Sequence, residues 1–527
     1  MSTPALRPPC EGAAAEAAPE TPGCAAHARR WVLAGTVLAS STVFLESTVI
    51  NVALPAIQGA LGAAIAELQW IANAYTLVVA ALTLVGGALG DRFGRRRMLA
   101  IGLVVFIAGT CAAALAGSGI ALIAARAVQG LGAALVEPNS LAHLSASFPR
   151  NARGRAIGVW SAASAVTGGG SPLIGGWLVD AGSWRAVFLL AIPFALVALV
   201  LAVARMPESR ASAAARIDVA GAALATLALA AITYGLIAAA AGAARPVSWG
   251  AVLFGMALLA AFVWYEARTR SPMVPLGLFR VRTFSAANLL TLLLYFAISG
   301  TFFLLPLNLA QAHGYSATWI GTVYLPFALA MGVLSHWAGG LVDRWGAKRP
   351  LVIGPLITAA GLALLGRPGP DSAYWSAFFA PMLLVGIGMA VTVAPLTAVV
   401  MGTVEPGRAG VASGINNTVA RLASLLAVAV VGLIALTAFR SALPRHFEAF
   451  DVPAPLSAAV LAERSSLGDV RLPVEADGET RTRATHAVRA AVADAFAVVA
   501  WISAGLAVGS AICAGLWLEN NRVPTSV

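Results

Sequence analysis

The segment Gly87-Ala88-Leu89-Gly90-Asp91-Arg92-Phe93-Gly94-Arg95-Arg96-Arg97 returns in weaker form as Gly339-Gly340-Leu341-Val342-Asp343-Arg344-Trp345-Gly346-Ala347-Lys348-Arg349, and Asp343 follows Asp91 by 252 residues. Each copy closes one long apolar run and opens the next. A charged turn between two apolar helices, used twice, points to two related halves packed around something. Carriers in membranes are commonly built from such repeats.

The composition agrees with a membrane chain. Of 527 residues, 59% are hydrophobic and only 11% charged, whereas soluble domains run nearer a quarter charged. Apolar residues dominate from Arg30 to Asn520, and several runs reach the ~18–20 residues that span a hydrocarbon core. The net charge of +11 does not imply nucleic acid, because the basic residues form short clusters between apolar runs and no aromatics interleave with a basic stripe. The basic residues are 33 Arg and the single Lys348. Lys348 stands between Ala347 and Arg349, so no phosphate-binding Gly-x-x-x-x-Gly-Lys-Ser/Thr loop exists. The chain therefore carries no ATPase of that type, and any pumping draws on another gradient or subunit. Cys10, Cys24, Cys111 and Cys513 show neither metal nor disulfide spacing. The six His form no ligand cluster, and neither His-Glu-x-x-His nor Gly-x-Ser-x-Gly occurs. No metal site and no enzymatic activity are expected.

Fourteen spans are predicted, at 31–54, 67–90, 98–117, 119–143, 156–179, 185–205, 218–240, 248–267, 285–310, 317–341, 350–366, 374–401, 409–438 and 491–518; counts of twelve and thirteen are the alternatives. An even count puts both termini on one side. On that side lie Arg92, Arg95, Arg96 and Arg97, then Arg150, Arg153 and Arg155, then Arg205, Arg210 and Arg216. Arg268, Arg270, Arg280, Arg282, Arg344, Lys348, Arg349 and Arg408 follow. The opposite short loops carry Arg185, Arg245 and Arg367. Positive residues favour the cytoplasmic side, so both termini are expected in the cytoplasm. Residues 1–30 read as a disordered tail, 439–490 as one large outside loop (solvated, or a lid), and 519–527 as a second cytoplasmic tail.

Three further stretches carry chemistry. The first span holds Leu45-Glu46-Ser47-Thr48-Val49-Ile50-Asn51-Val52-Ala53-Leu54-Pro55. The fourth holds Arg126-Ala127-Val128-Gln129-Gly130-Leu131-Gly132 and, eleven residues on from Arg126, Glu137 before Pro138. The fifth holds Gly158 and Gly168-Gly169-Gly170-Ser171-Pro172-Leu173-Ile174-Gly175-Gly176. Ionisable groups within a span cost several kcal/mol, so they face a cavity or a partner. At about 1.5 Å per residue, Glu46 lies roughly 12 Å and Arg126 roughly 10 Å from the same face of the bilayer. A direct or water-bridged pair between them is feasible. Glu137 lies about 16 Å deeper on the face of Arg126; it suits a second protonation site, a counter-charge for a cation, or a partner for an inner-face Arg.

These stretches together resemble the major facilitator superfamily, and in particular its fourteen-helix drug/proton antiporter branch, over nearly all of the chain after residue 30. The opening motif resembles the superfamily's turn between helices 2 and 3. The resemblance implies that Gly87, Asp91, Arg92, Gly94, Arg95 and Arg96, with Gly340, Asp343, Arg344 and Gly346 in the second copy, act in gating. There Asp91 would face a helix N-terminus and an Arg across the inner surface. Glu46 stands where the branch usually has Asp. Arg126 to Gly130 resembles the Arg-x-x-Gln-Gly motif associated with proton coupling, so Glu46, Arg126 and Glu137 are the implied coupling residues; a carboxylate that only ties helices is the alternative for Glu46. Gly158, Pro172, Gly175 and Gly176 match the antiporter motif, although Thr167 and Ser171 replace its usual glycines. Asn51, Trp70, Tyr75, Gln129 and Arg421 are candidates to contact substrate, with core or lipid packing as the alternative for the aromatics.

The fold implied is an all-α integral membrane protein of two pseudo-symmetric six-helix bundles, 31–206 and 285–518, with two inserted helices and linkers at 207–284. The implied function is proton-driven antiport exporting small amphipathic or apolar compounds by alternating access, with no cofactor besides the proton gradient. A symporter importing a small metabolite is the alternative, against which Pro172 and Gly175-Gly176 argue. The extreme Arg bias suggests a GC-rich bacterium and hence its inner membrane. The lipid bilayer and a small-molecule substrate are the expected partners, with no nucleic acid. Action as a monomer, and action with periplasmic and outer-membrane efflux partners, both stay open.

Overall fold

The computed structural model describes residues 26–210, 218–269, 272–338, 341, 345–369, 372, 374–404, 409–454, 456–457 and 478–518. The regular structure of these residues is helical, with no strand among them. In chain order the long helices are α1 Ala26–Leu61, α2 Ile65–Phe93, α3 Arg95–Ala114, α4 Gly119–Ser147, α5 Arg150–Ala181 and α6 Ala186–Ala204. Next come α7 Val219–Ala240 and α8 Arg245–Glu266. The rest are α9 Arg282–Gln311, α10 Ala317–Ser335 with one irregular turn at Tyr324, α11 Lys348–Leu365, α12 Trp375–Gly402, α13 Ala409–Ala449 and α14 Gly478–Trp517. Chain direction gives the bundle a near end, with the Gly94 turn, and a far end, where α1 meets α2.

Among the described residues, 13 helices are long and apolar enough to cross a membrane. The helix holding the fifth expected span, α5, is not one of them. Its glycines, serines, Thr167, Pro172 and two tryptophans dilute its apolar content, because it packs by close backbone approach and not by bulk. Elsewhere the boundaries move. The expected disordered tail overlaps α1, which begins at Ala26. Much of the expected loop 439–490 is helix, since α13 runs on to Ala449 and α14 begins at Gly478. The reason is an apolar stripe at helical spacing, hidden among charges: Phe439, Ala442, Leu443 and Phe447 are buried, as are Ala484, Ala487, Val488 and Ala491. Period-3.6 burial of this kind holds helices together in water as well as in lipid. His446 Nε2, in the extension of α13, lies 2.9 Å from Asp494 Oδ2 of α14 and ties the two helices.

The spacing of 252 residues reaches beyond the charged turn. Gly94 and Gly346 both have positive φ, 112° and 73°, a conformation open to glycine and strained for other residues. A Cβ on Gly102 of α3 would lie 2.9 Å from Gly132 O of α4, and one on Gly354 of α11 would lie 2.8 Å from Gly388 O of α12. Gly109 and Gly361 stand equally tight, at 2.6 Å from Gln129 N and 2.7 Å from Pro381 O. Small residues let helix backbones approach where lipid supplies no hydrophobic drive. Neighbours match too: α1 packs on α4, α5 and α6, and α9 packs on α12, α13 and α14. The α7–α8 hairpin lies outside this scheme. Its Leu229 joins Leu77 of α2 and Leu425 of α13 in a separate apolar cluster, so α7 covers the seam between those helices.

Candidate functional site

The polar centre of the first group of helices is built on Arg126 of α4, whose side chain is 1% exposed. Its Nη1 donates to Glu46 Oε1 of α1 at 3.0 Å and to Gln129 Oε1 at 2.6 Å, while Nε donates to Ile71 O of α2 at 3.2 Å. Gln129 Nε2 donates to Thr110 Oγ1 of α3 at 2.8 Å. The guanidinium stacks 4.5 Å from the Tyr75 ring centroid, a cation–π contact, and Tyr75 OH donates to Val43 O at 3.3 Å. Four helices thus meet at one cation. Glu46 is 0% exposed, and its Oε2 has no hydrogen-bond partner among the described residues. Ser171 Oγ, at a position where the antiporter motif usually has glycine, lies 2.6 Å from Thr48 Oγ1, two residues on from Glu46 along α1.

Glu137 of α4 pairs with Arg421 of α13, so the third of its three sequence readings, an arginine partner, describes its contact. That arginine comes from mid-helix in the second group of helices and not from an inner-face loop. Beside it, Asn73 Nδ2 donates to Leu425 O at 3.3 Å, and Gln69 Nε2 to Val428 O at 2.6 Å. Three side chains of the first group therefore fasten α13. Of the candidate substrate contacts, Tyr75 and Gln129 are buried in the Arg126 network, and Trp70 packs on the Leu77–Leu229–Leu425 cluster. Arg421 is engaged by Glu137, and Asn51 is half-buried on α1. The structure does not bring these five together.

At the near end, Asp91 accepts from Arg95 Nη2 at 2.9 Å within its own turn, and Arg92 lies over the Phe93 ring at 5.4 Å. Gly340, Asp343 and Arg344 of the second copy lie outside the described residues. The turn is held by a residue that sequence reasoning missed. Glu208 accepts from Arg96 N at 3.0 Å and Arg97 N at 3.2 Å, capping α3 at the end that favours negative charge. A Cβ on Gly94 would lie 2.6 Å from the Glu208 carboxyl carbon. Gly87 meets Pro138 only at ordinary contact, 3.5 Å, and the close approach falls instead on Gly86 and Gly90. No local signal marks Glu208, because the α3 amides it caps lie more than a hundred residues away.

Of the antiporter-motif residues, Pro172 and Gly176 line the α5–α10 seam. A Cβ on Gly176 would lie 2.1 Å from Ala317 O, one on Gly321 2.4 Å from Pro172 O, and one on Gly169 2.6 Å from Ala328 Cβ. Gly175 faces Val49 of α1. Gly158 takes no part: it and Gly332 have nothing within 4 Å where a Cβ would stand, among the described residues. The seam is thus tight at its far end, and among the described residues it shows no such close contact at Gly158 and Gly332 toward its near end. Asp180, also missed, completes the closure. Its Oδ1 accepts from Ala317 N at 3.0 Å and its Oδ2 from Thr318 N at 2.8 Å. Partial burial pushes its carboxyl up, and the hydrogen bonds from Thr318, Ser316 and Ala317 outweigh this and hold it below the ordinary value.

Against known proteins, residues 36–428 match the sequence model of the Major Facilitator Superfamily. The chain is 34% identical over 438 residues to the multidrug resistance protein Stp of Mycobacterium tuberculosis, covering 82% of this chain and 80% of that protein. It is 32% identical over 457 residues to the tetracenomycin C resistance and export protein of Streptomyces glaucescens, covering 85% and 84%. Among solved structures, an inward-facing, unoccupied bacterial homologue of the human lysosomal transporter Spinster superposes with a TM-score of 0.63 at 19% identity, covering 95% of this chain and all of that one.

Proposed function

The chain belongs to the major facilitator superfamily, and from that premise we propose that it is a proton-coupled antiporter of the fourteen-helix branch, exporting small amphipathic or apolar compounds. The family is one of multi-pass membrane transporters, and the relatives' names speak of multidrug resistance and antibiotic export. The observation that carries proton coupling is the buried Glu46–Arg126 pair with its unpartnered Oε2.

The geometry supports a simple exchange. Oε1 holds the guanidinium, and Oε2 is the atom that takes a proton. When it does, Arg126 keeps Gln129 Oε1 and Ile71 O as neutral acceptors but loses its counter-charge. A buried cation without one is destabilising, so protonation biases the carrier toward another conformation. The charge change at Glu46 is felt on α1, which also packs along α5, the helix whose seam with α10 is tight at its far end. Proton occupancy and access are linked in this way, and alternating access follows when the tight end opens and the other closes. The glycine pairs repeated at 252 residues support two pseudo-symmetric halves, 31–206 and 285–518, with α7–α8 inserted between them and α5 as the fourteenth span. The basic near-end turns support both termini in the cytoplasm of a bacterial inner membrane.

In proteoliposomes with an imposed pH gradient, wild type is expected to expel a fluorescent amphipathic substrate and Glu46→Gln to insert normally but show no gradient-driven efflux. Gradient-driven efflux by Glu46→Gln at the wild-type rate would sink the assignment.

A further inference from the structure

We propose that Asp180, at the end of α5, is the latch that holds the far end of the carrier shut by capping α10. The proposal rests on the alternating-access reading of the preceding section and adds to it a residue that no motif includes. Both carboxylate oxygens are used, one on Ala317 N and one on Thr318 N. These are first-turn amides that have no acceptor within their own helix, and the helix dipole there favours an anion. Asp180 and the amides belong to the two groups of helices that must separate for the far end to open. The contact also sits where nothing larger than glycine is accommodated: a Cβ on Gly176 would meet Ala317 O at 2.1 Å. The glycines bring the two backbones together, and the carboxylate locks the register. At the near end, Asp91 is satisfied by Arg95 within its own turn, so among the described contacts of these two aspartates only that of Asp180 crosses between the groups.

The latch also explains the fit of the residue before it. Ser316 has φ −68° and ψ 162°, an extended conformation that presents the next two N–H groups outward. Proline at position 317 is compatible with this backbone, since the residue before a proline prefers extended ψ and the first helical position tolerates its missing N–H. Ala317→Pro therefore removes one donor to Asp180 and sets its ring Cδ where that N–H pointed, so Oδ1 is displaced from the first turn of α10.

The test is the distance between spin labels at Ala60→Cys and Trp375→Cys, two exposed far-end positions in different groups of helices. It is made in full-length protein whose four native cysteines are replaced. Wild type is expected to give mainly the short distance. Asp180→Ala and Ala317→Pro should each raise the long-to-short ratio, Asp180→Ala by roughly tenfold, the scale of a charge-assisted hydrogen bond. Gel filtration verifies that both variants are folded. Unchanged distances in both variants overturn the latch. So does a shift in Asp180→Ala alone, because the carboxylate would then act on something other than the α10 amides. The measurement uses neither substrate nor gradient, so its outcome is independent of whether Glu46→Gln abolishes efflux.

Discussion

A methyl group on Gly90 would fall 1.5 Å from Asn139 Oδ1, inside the space Asn139 occupies while its Nδ2 donates to Gly86 O at 2.9 Å and Leu135 O at 2.7 Å. Gly90→Ala is therefore expected to lower stability by about 1–3 kcal/mol, the usual range for overpacking, visible as a lower thermal midpoint in detergent. Gly158→Ala, in open space, should leave the midpoint within error of wild type. The two glycines look alike in the sequence, and Gly158 even belongs to a recognised motif. Spacing alone does not reveal which glycines meet a backbone, since that depends on crossings with helices far away in the chain. Glu46 and Arg126 were easier to read, because a lone charge within an apolar run must find a partner and their depths agreed. Thr110 and the Ile71 carbonyl were hidden for the opposite reason: a threonine and a backbone oxygen are unremarkable in any helix.

Helix ends carry the functional geometry that the apolar pattern does not reach. At the near end of α3, Glu208 supplies the cap; at the far end of α5, Asp180 supplies one for α10. The pH behaviour of the second follows from its lowered carboxyl. A group whose folded pKa lies below its free value contributes stability that is complete above the free value and is lost as pH falls through the folded one. Far-end closure should therefore be flat from neutral pH down to about 3.9, the free aspartate value, and weaken only below it. Asp180→Asn should remove that acid limb. Spin-label distances across a pH series measure both, and a transition centred near neutral pH would contradict the assignment. Lengths were the least legible property of these elements. The stripe of Phe439, Leu443 and Phe447 has helical spacing, yet Arg440, Arg445 and Glu448 among them gave the segment the average composition of a loop.

For the molecule as a whole, the ties between the two groups of helices are the contacts that the proposed exchange of open faces has to break. Besides the far-end closure, Glu137–Arg421 joins α4 to α13. A double-mutant cycle of Glu137→Gln and Arg421→Gln on thermal stability should show a coupling of about 0.5–3 kcal/mol, the range for residues in contact, and additive effects would show that the pair contributes nothing. Each single variant should cost more than the double one, since it leaves a lone ion in a partly buried place. The repeated charged turn suggests two halves in the sequence, and tightly packed glycines at the same interval lie in α3 and α11. What the sequence did not disclose was how α7 and α8 fit, because their apolar surfaces carry no pattern that names a neighbour.

The long helices α13 and α14, of 41 and 40 residues, have one more consequence. Beyond the expected spans, residues 439–449 and 478–490 rise roughly 16 and 20 Å at about 1.5 Å per residue. A carrier embedded in a detergent micelle usually offers electron microscopy little more than a smooth, nearly symmetric disc. If the expected spans hold, this pair of helices stands clear of that disc on one side, giving each particle image a landmark from which its orientation can be assigned without an added antibody fragment.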